Sequence, residues 1–444
     1  MKVAILGAGL RTPLLIHGLA RAHPALSTGK LLLFDQDFAR AELMSTLGKE
    51  IARDSGMQIL PTRRIEEAVE DCAFVVSSIR VGGMEARARD ERIALEHGFA
   101  GQETTGPGGL AMALRTIPVA LEHARLVGRL APRAWIVNFT NPAGMMTQAI
   151  ATHTSARVVG ICDTPAELFF RIALALGEPP RDIECDYFGL NHLGWVRSVY
   201  CRGREVTHLL LEDDGKLASL YPSPLFDPNQ IRAMKLIPTE YLFFYYSKAR
   251  ALRNQLAAQA TRGEELLRLN ATLLAGMSAA AAKGEVAAAI EMYKSYLNRR
   301  NSSYLRLEGA AESAFLQPEH DWNPFEGATG YHRIAVDVMC ALSGADAKRM
   351  VLNVPNRGAV AGLDPEDVVE IPCVVDSSGP RSLTVGALPD SVCSLVFSVK
   401  AYERLAIRAV VERSTELAIL ALSLNPIVGD WDEARKVLRN LSGA

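Results

Sequence analysis

No Cys-x-x-C pair occurs in the 444-residue chain, and its seven cysteines are an odd number. A disulfide framework is therefore not expected, and a reducing cytoplasm is the simple reading. Apolar runs long enough to span a bilayer are missing, so no membrane segment is expected. The opening MKVAILGAG is too short for the apolar core of a secretion signal. An excess of one charge is missing as well: 48 Lys and Arg stand interspersed with 50 Asp and Glu, giving a formal net charge of −2. That balance argues against a nucleic-acid footprint or a polybasic membrane surface. No Gly/Ser linker, repeat or low-complexity tract breaks the chain. What remains is 49% hydrophobic residues, over a length that supports two domains with cores of their own.

The N-terminal third alternates short β-rich runs with helical patterns. Strands are expected at 2–9, 30–37, 57–60, 73–79, 134–140 and 156–162, with helices near 12–23 and 38–55. Thr12 is a candidate N-cap, with Pro13 at the first helical position. Apolar strands separated by helices predict a Rossmann-type parallel sheet covered on both faces. Residues 247–300 carry long Ala/Leu/Glu/Arg patterns that predict packed helices. Later, 368–385 predicts a hairpin turning at Ser377 to Gly379, and 397–424 a long helix. The fading of strand–helix alternation places a division near 165. Residues 1–165 would form the dinucleotide domain, and 166–444 a mixed α/β domain for substrate, metal and oligomerisation.

Gly7-Ala8-Gly9 lies between the first strand and first helix, where glycines let backbone approach a pyrophosphate. The third glycine of the usual fingerprint is replaced by Thr12, so the motif rests on its strand–turn–helix context. Asp35 ends the second strand, where an acid accepts hydrogen bonds from ribose hydroxyls and favours NAD over NADP. Arg80, Arg87, Arg89 and Arg92 follow another strand end, and their fork geometry suits phosphate. For any one of them a solvated helix face is the commoner reading. GQETTGPGG, 101–109, is a loop of small and polar residues fit to line a site. In NFTNPAG, Asn138 and Asn141 bracket a strand end and are read equally well as ligands for hydroxyls or as turn formers.

Cys162, in GICDTP, taken alone is a small buried hydrophobe. His192, in FGLNHLGW, taken alone is a structural histidine. As a pair, thiolate and imidazole could hold a divalent ion with positions open for water or a substrate diol. Tyr241, in PTEYLFFYY, becomes a base only if a nearby cation lowers a phenol whose ordinary pKa is about 10.

Taken in order, GAGLRTP, RVGGMEARARDERIALEHGFAGQETTGPGG, NFTNPAG, GICDTP, FGLNHLGW, PTEYLFFYY, LNVPNRGAV and VKAYERL resemble glycoside hydrolase family 4, the NAD- and metal-dependent glycosidases. The details look most similar to the 6-phospho-β-glucosidase branch. The resemblance implies a lactate/malate dehydrogenase-like fold and a homodimer or homotetramer. It makes Cys162 and His192 the ligands of Mn²⁺ or another divalent metal, Tyr241 the base, and Arg87, Asn141 and Arg262 the contacts of the phosphosugar. Gly7, Gly9, Asp35, Arg80 and Asn138 are the expected cofactor contacts. In the implied reaction, hydride passes from sugar carbon 3 to NAD⁺, which acidifies the proton on carbon 2. Tyr241 removes that proton, the aglycone leaves by elimination, water adds, and the hydride returns. No pair of catalytic carboxylates is needed.

Asp163 is the departure. In the family resembled, α-specific members carry Cys-Asp here, with the aspartate protonating the leaving group, and many β-specific members carry Cys-Asn. Asp163 is therefore a second catalytic candidate, with an outer-shell partner of the metal as the other role. The expectation is hydrolysis of 6-phospho-β-glucosides such as cellobiose 6-phosphate. The alternatives are α-linked or unphosphorylated substrates and, from another class, a simple NAD-dependent dehydrogenase.

Overall fold

A computed structural model describes residues 1–305, 323–327 and 329–442. Six short apolar strands build the first half: β1 (Lys2–Leu6), β2 (Lys30–Phe34), β3 (Gln58–Thr62), β4 (Phe74–Ser77), β5 (Trp135–Asn138) and β6 (Arg157–Gly160). All pair in parallel, in the spatial order β3-β2-β1-β4-β5-β6. This is the doubly wound dinucleotide-binding order, whose direction reverses between β1 and β4. β1 and β4 are buried almost throughout, as strands covered on both faces must be.

The sheet does not stop at β6. β11 (Lys348–Pro355), β12 (Val368–Asp376) and β13 (Gly379–Ser382) extend it antiparallel to nine strands. Chain from beyond residue 166 thus completes the sheet begun by the N-terminal third. A second sheet is centred on the hairpin of β7 (Ile183–Leu190) and β8 (Leu193–Cys201), with β9 (Arg204–Glu205) and β10 (Ile237–Pro238) beside β8. The hairpin closes through Asn191 and His192, and His192 takes the left-handed φ of 61° that such tight turns require.

Local chemistry explains most boundaries, including two that differ from expectation. Thr12 is the first helical residue of Thr12–Ala20, and Arg11 occupies the cap position without a side-chain cap bond. The expected long helix over 397–424 is two helices, Asp390–Val411 and Thr415–Leu424. Arg413 takes a φ of 53°, and Ser414 starts the second helix by accepting a hydrogen bond from the Leu417 amide. Helices Lys248–Ala257, Arg262–Ala282 and Val286–Ser302 fill the region where helical packing is expected. The 368–385 hairpin turns where the sequence places its turn. All seven cysteines are free, and among the described residues no helix is long and apolar enough to cross a membrane.

One buried cation joins three elements. Lys400, 1% exposed on helix Asp390–Val411, donates to Gln148 Oε1 at 3.0 Å and the Val368 carbonyl at 2.7 Å, and pairs with Glu403. Removing the ammonium would strand a buried carboxylate. Lys400→Met is expected to lower the unfolding free energy by about 3 kcal/mol, measured by urea denaturation.

Candidate active site

The crevice outside the carboxyl ends of β1 and β4 is where the strand order reverses. Gly7, just past β1, has a φ of 85°, and a Cβ there would lie 2.5 Å from the Ser78 carbonyl oxygen beyond β4. Only glycine fits that approach. Gly9 is different: a Cβ on it would meet nothing nearer than the Gly7 oxygen at 4.0 Å. No chain atom demands glycine at position 9, so the free space in front of it suits a pyrophosphate. Asp35 follows β2, with its carboxylate accepting from the Asp37 amide at 2.9 Å and forming a loose ion pair with Arg40 at 3.9 Å. These three residues fit a dinucleotide. Asn138 is 0% exposed, and its side chain is occupied inside the turn by Thr140, Ala143 and Thr147. Of its two sequence-level readings, the turn-forming one describes these bonds.

His192 carries the sharpest geometry. Its Nδ1 lies 2.8 Å from the Thr104 hydroxyl, and that hydroxyl donates its only proton to Gln102 Oε1 at 2.7 Å. Thr104 must then accept from Nδ1–H, which fixes the tautomer and leaves Nε2 as a bare lone pair. Nε2 is buried and has no hydrogen-bond partner among the described residues. Burial holds the imidazole down at about 4, so it stays neutral as a metal ligand must. Tyr241 stacks on this ring, with centroids 3.8 Å apart and planes 5° from parallel.

Cys162, two residues past β6, is 3% exposed and lies within electrostatic reach of the Tyr241 phenol. Burial, then Glu370 and Asp163, push its thiol well above the ordinary range, so a bound cation would have to displace the proton. Cys162 is a soft donor and His192 a borderline one; His192 is stacked on Tyr241, and Cys162 lies within electrostatic reach of the same phenol. Among the described residues no cluster of three or more His, Cys, Asp or Glu completes a closed cage. A two-residue donor set with open positions suits a catalytic cation rather than a structural one.

Around this centre the charges are interlocked. Glu103 accepts from Arg80 at 2.5 Å and Arg87 at 3.0 Å, while Arg87 also donates to Glu91 at 2.8 Å. Burial alone would raise Glu103, but the two arginines hold it at about 2. Arg80 is therefore tied to Glu103, and Arg87, 8% exposed, is wedged between two carboxylates within electrostatic reach of Tyr241. Arg262, the first residue of its helix, donates to Glu265, to Ser303 Oγ at 2.6 Å and to the Arg300 carbonyl at 2.9 Å. Asn141 stands half-buried before the helix Ala143–His153. Burial raises Asp163, opposed by the Arg11 charge and a hydrogen bond from Tyr331.

Sequence reasoning passed over Gln102, Thr104, Arg11, Glu240, Tyr304 and Tyr331. Only the GQETT loop carried a signal, as a polar site-lining segment. Glu240 accepts from Thr164 and Tyr304, each at 3.2 Å, and burial pushes its carboxyl up to about 7, with Asp163 adding to the rise. An unfolded glutamate loses its proton near 4.5 while the folded one keeps it to about 7, so folding stability falls as pH rises through that window. Glu240→Gln removes the penalty. Its stability relative to the parent is expected to improve by about 2 kcal/mol from pH 5 to pH 8, read from urea unfolding at each pH.

Comparison with known proteins gives the same picture over the whole length. Residues 2–178 match the model of the family described as family 4 glycosyl hydrolase, and residues 187–428 match its C-terminal domain. A probable 6-phospho-beta-glucosidase of Bacillus subtilis (strain 168) is 31% identical over 449 residues, covering 99% of this chain and 95% of that protein. The 6-phospho-beta glucosidase of Thermotoga maritima, solved with manganese, NAD⁺ and glucose-6-phosphate, superposes with a TM-score of 0.81 at 26% identity, covering 100% of this chain and 98% of its own. A 6-phospho-alpha-glucosidase from gut microorganisms, solved with NAD and glucose-6-phosphate, gives a TM-score of 0.82 at 27% identity, covering 100% and 97%. With both family models matched in order along one chain, and the fold shared from end to end, the chain belongs to the family 4 glycosyl hydrolases and is an enzyme.

Proposed function

We propose that this enzyme is a 6-phospho-β-glucosidase that works with NAD⁺ and a divalent cation such as Mn²⁺. The observation that carries the reading is the bare, buried Nε2 of His192, with the Tyr241 ring laid against the imidazole. A simple dehydrogenase has no use for a stacked phenol beside a thiol and an oriented imidazole. The β assignment draws support from the relative that aligns over 99% of the chain at 31% identity and bears the β name.

When bound, NAD⁺ supplies a reversible hydride acceptor for sugar carbon 3, and the cation supplies a Lewis acid for the resulting carbonyl. The chain does the rest. Gly7 and Gly9 open the turn to the pyrophosphate, and Asp35 accepts the ribose hydroxyls. Cys162 and His192 hold the cation. Tyr241 removes the carbon-2 proton; burial raises its phenol, and the charge of Glu240 raises it further. Ionisation of that phenol therefore depends on positive charge brought beside it. Arg87 uses Nε and Nη1 on its two carboxylates, so it is held rigidly with further N–H donors left for a sugar phosphate. Asn141 and Arg262 complete the proposed substrate set.

Asp163 supports a second reading, the α-linked 6-phosphoglucoside. Its burial favours retaining a proton at higher pH than an exposed aspartate does, as an acid for a leaving oxygen requires.

Nitrophenyl α- and β-glucosides, each with and without 6-phosphate, separate the readings. The expected result is turnover of the 6-phospho-β compound alone, dependent on NAD⁺ and Mn²⁺ without net NADH. Turnover of the α-6-phosphate compound in its place selects the second reading, and steady NADH accumulation defeats both. Tyr241→Phe is expected to lower kcat by about 10²–10⁴-fold and to abolish solvent deuterium entry at carbon 2 of the product. Undiminished deuterium entry would remove Tyr241 from the base role.

A further inference from the structure

Glu370, on β12, is 0% exposed and surrounded by donors. Its Oε2 accepts from the Tyr187 hydroxyl at 2.6 Å. Its Oε1 accepts from the side-chain amides of Asn191 and Asn353, both at 3.0 Å. No lysine, arginine or histidine within salt-bridge distance compensates it among the described residues. A carboxylate in a dry core is costly even when hydrogen-bonded, and an apolar residue would be cheaper for folding alone.

The surrounding backbone is shaped to let these donors reach it. A Cβ on Gly194 would lie 1.9 Å from the Tyr187 hydroxyl. One on Gly160 would lie 2.7 Å from the Asn353 Cβ, and one on Gly144 3.1 Å from the Asn191 Cβ. Three glycines on three elements therefore make way for the three donor side chains. Two members of the cluster lie close to the proposed metal ligands, one along the chain and one across the sheet. Asn191 is the residue before His192 in the hairpin turn, and Asn353 pairs in register with Gly160, two residues before Cys162. Glu370 itself stands opposite Asn353 in the β11–β12 register.

We propose that Glu370 is a positioning residue for the cation site: it anchors the Asn191–His192 turn to β11 and β12, which join the sheet at Gly160 just before Cys162, and it presents a buried carboxylate to that junction. The inference rests on the metal reading above. Outer-shell groups of this kind orient ligands and typically change metal affinity by about 10–100-fold when removed.

The test uses the full-length protein stripped of metal, with free Mn²⁺ followed by electron paramagnetic resonance. Glu370→Gln and Asn191→Ala are each expected to weaken Mn²⁺ binding at least about tenfold, with NAD⁺ affinity held within about twofold. The Co²⁺-loaded forms are expected to show a shifted thiolate-to-metal charge-transfer band, which a general loss of stability would not produce. Mn²⁺ affinity within twofold of the parent in either folded variant overturns the proposal. If Glu370→Gln fails to fold, Asn191→Ala decides alone. A parent protein that binds no Mn²⁺ removes the metal reading itself, a result distinct from a parent that binds and variants that bind equally well.

Discussion

Gly160 is where the C-terminal strands join the parallel sheet. It is the last residue of the parallel sheet and the only position in β6 that registers with β11. Any side chain there would collide with Thr147 Oγ1 at 2.3 Å and with the Asn353 Cβ at 2.7 Å. Because it is glycine, the C-terminal strands close onto the N-terminal sheet at the place where the chain turns toward Cys162. The sheet that carries the dinucleotide turn and the strands that carry Glu370 therefore share one edge. Rigid-body drift between cofactor and cation would have to break that edge.

Electrostatics imposes the second constraint. The site is crowded with ionisable groups, and most of its arginines are matched by a specific carboxylate. Arg80 and Arg87 share Glu103, Glu91 secures Arg87 and accepts the Gly263 amide at 2.6 Å, and Arg11 faces Asp163. Arg92 and Glu264 fasten the arginine-rich helix Gly83–Glu96 to helix Arg262–Ala282. Arginine is suited to such sites because its planar fork can satisfy two partners and remain charged when buried.

What could be read from the sequence was local. β1, Gly7, Gly9 and Asp35 lie within 34 residues, and strand, turn and acid follow from composition and order alone. His192 and Tyr241 are 49 positions apart, and nothing in periodicity shows that their rings stack at 3.8 Å. Their partnership was accessible only through family resemblance. Thr104 was harder still: its part depends on a single hydroxyl proton committed to Gln102, a fact of hydrogen-bond counting in three dimensions. The split of the expected 397–424 helix had a visible cue in Ser414, a good N-cap, overshadowed by apolar periodicity on both sides. Asn138 illustrates the opposite case, since a turn former and a cofactor ligand look alike in one dimension.

Asp163 brings these strands of argument together. Its backbone opens helix Thr164–Leu176, while its side chain makes no cap bond and engages Tyr331 and the field of Arg11. A carboxyl freed from capping is available for chemistry. Arg11 directly precedes helix Thr12–Ala20, so the cation that opposes burial at Asp163 sits in the turn proposed above for the cofactor's pyrophosphate. A phosphate anion there would compete with Asp163 for Arg11 and weaken the interaction that favours its ionised form.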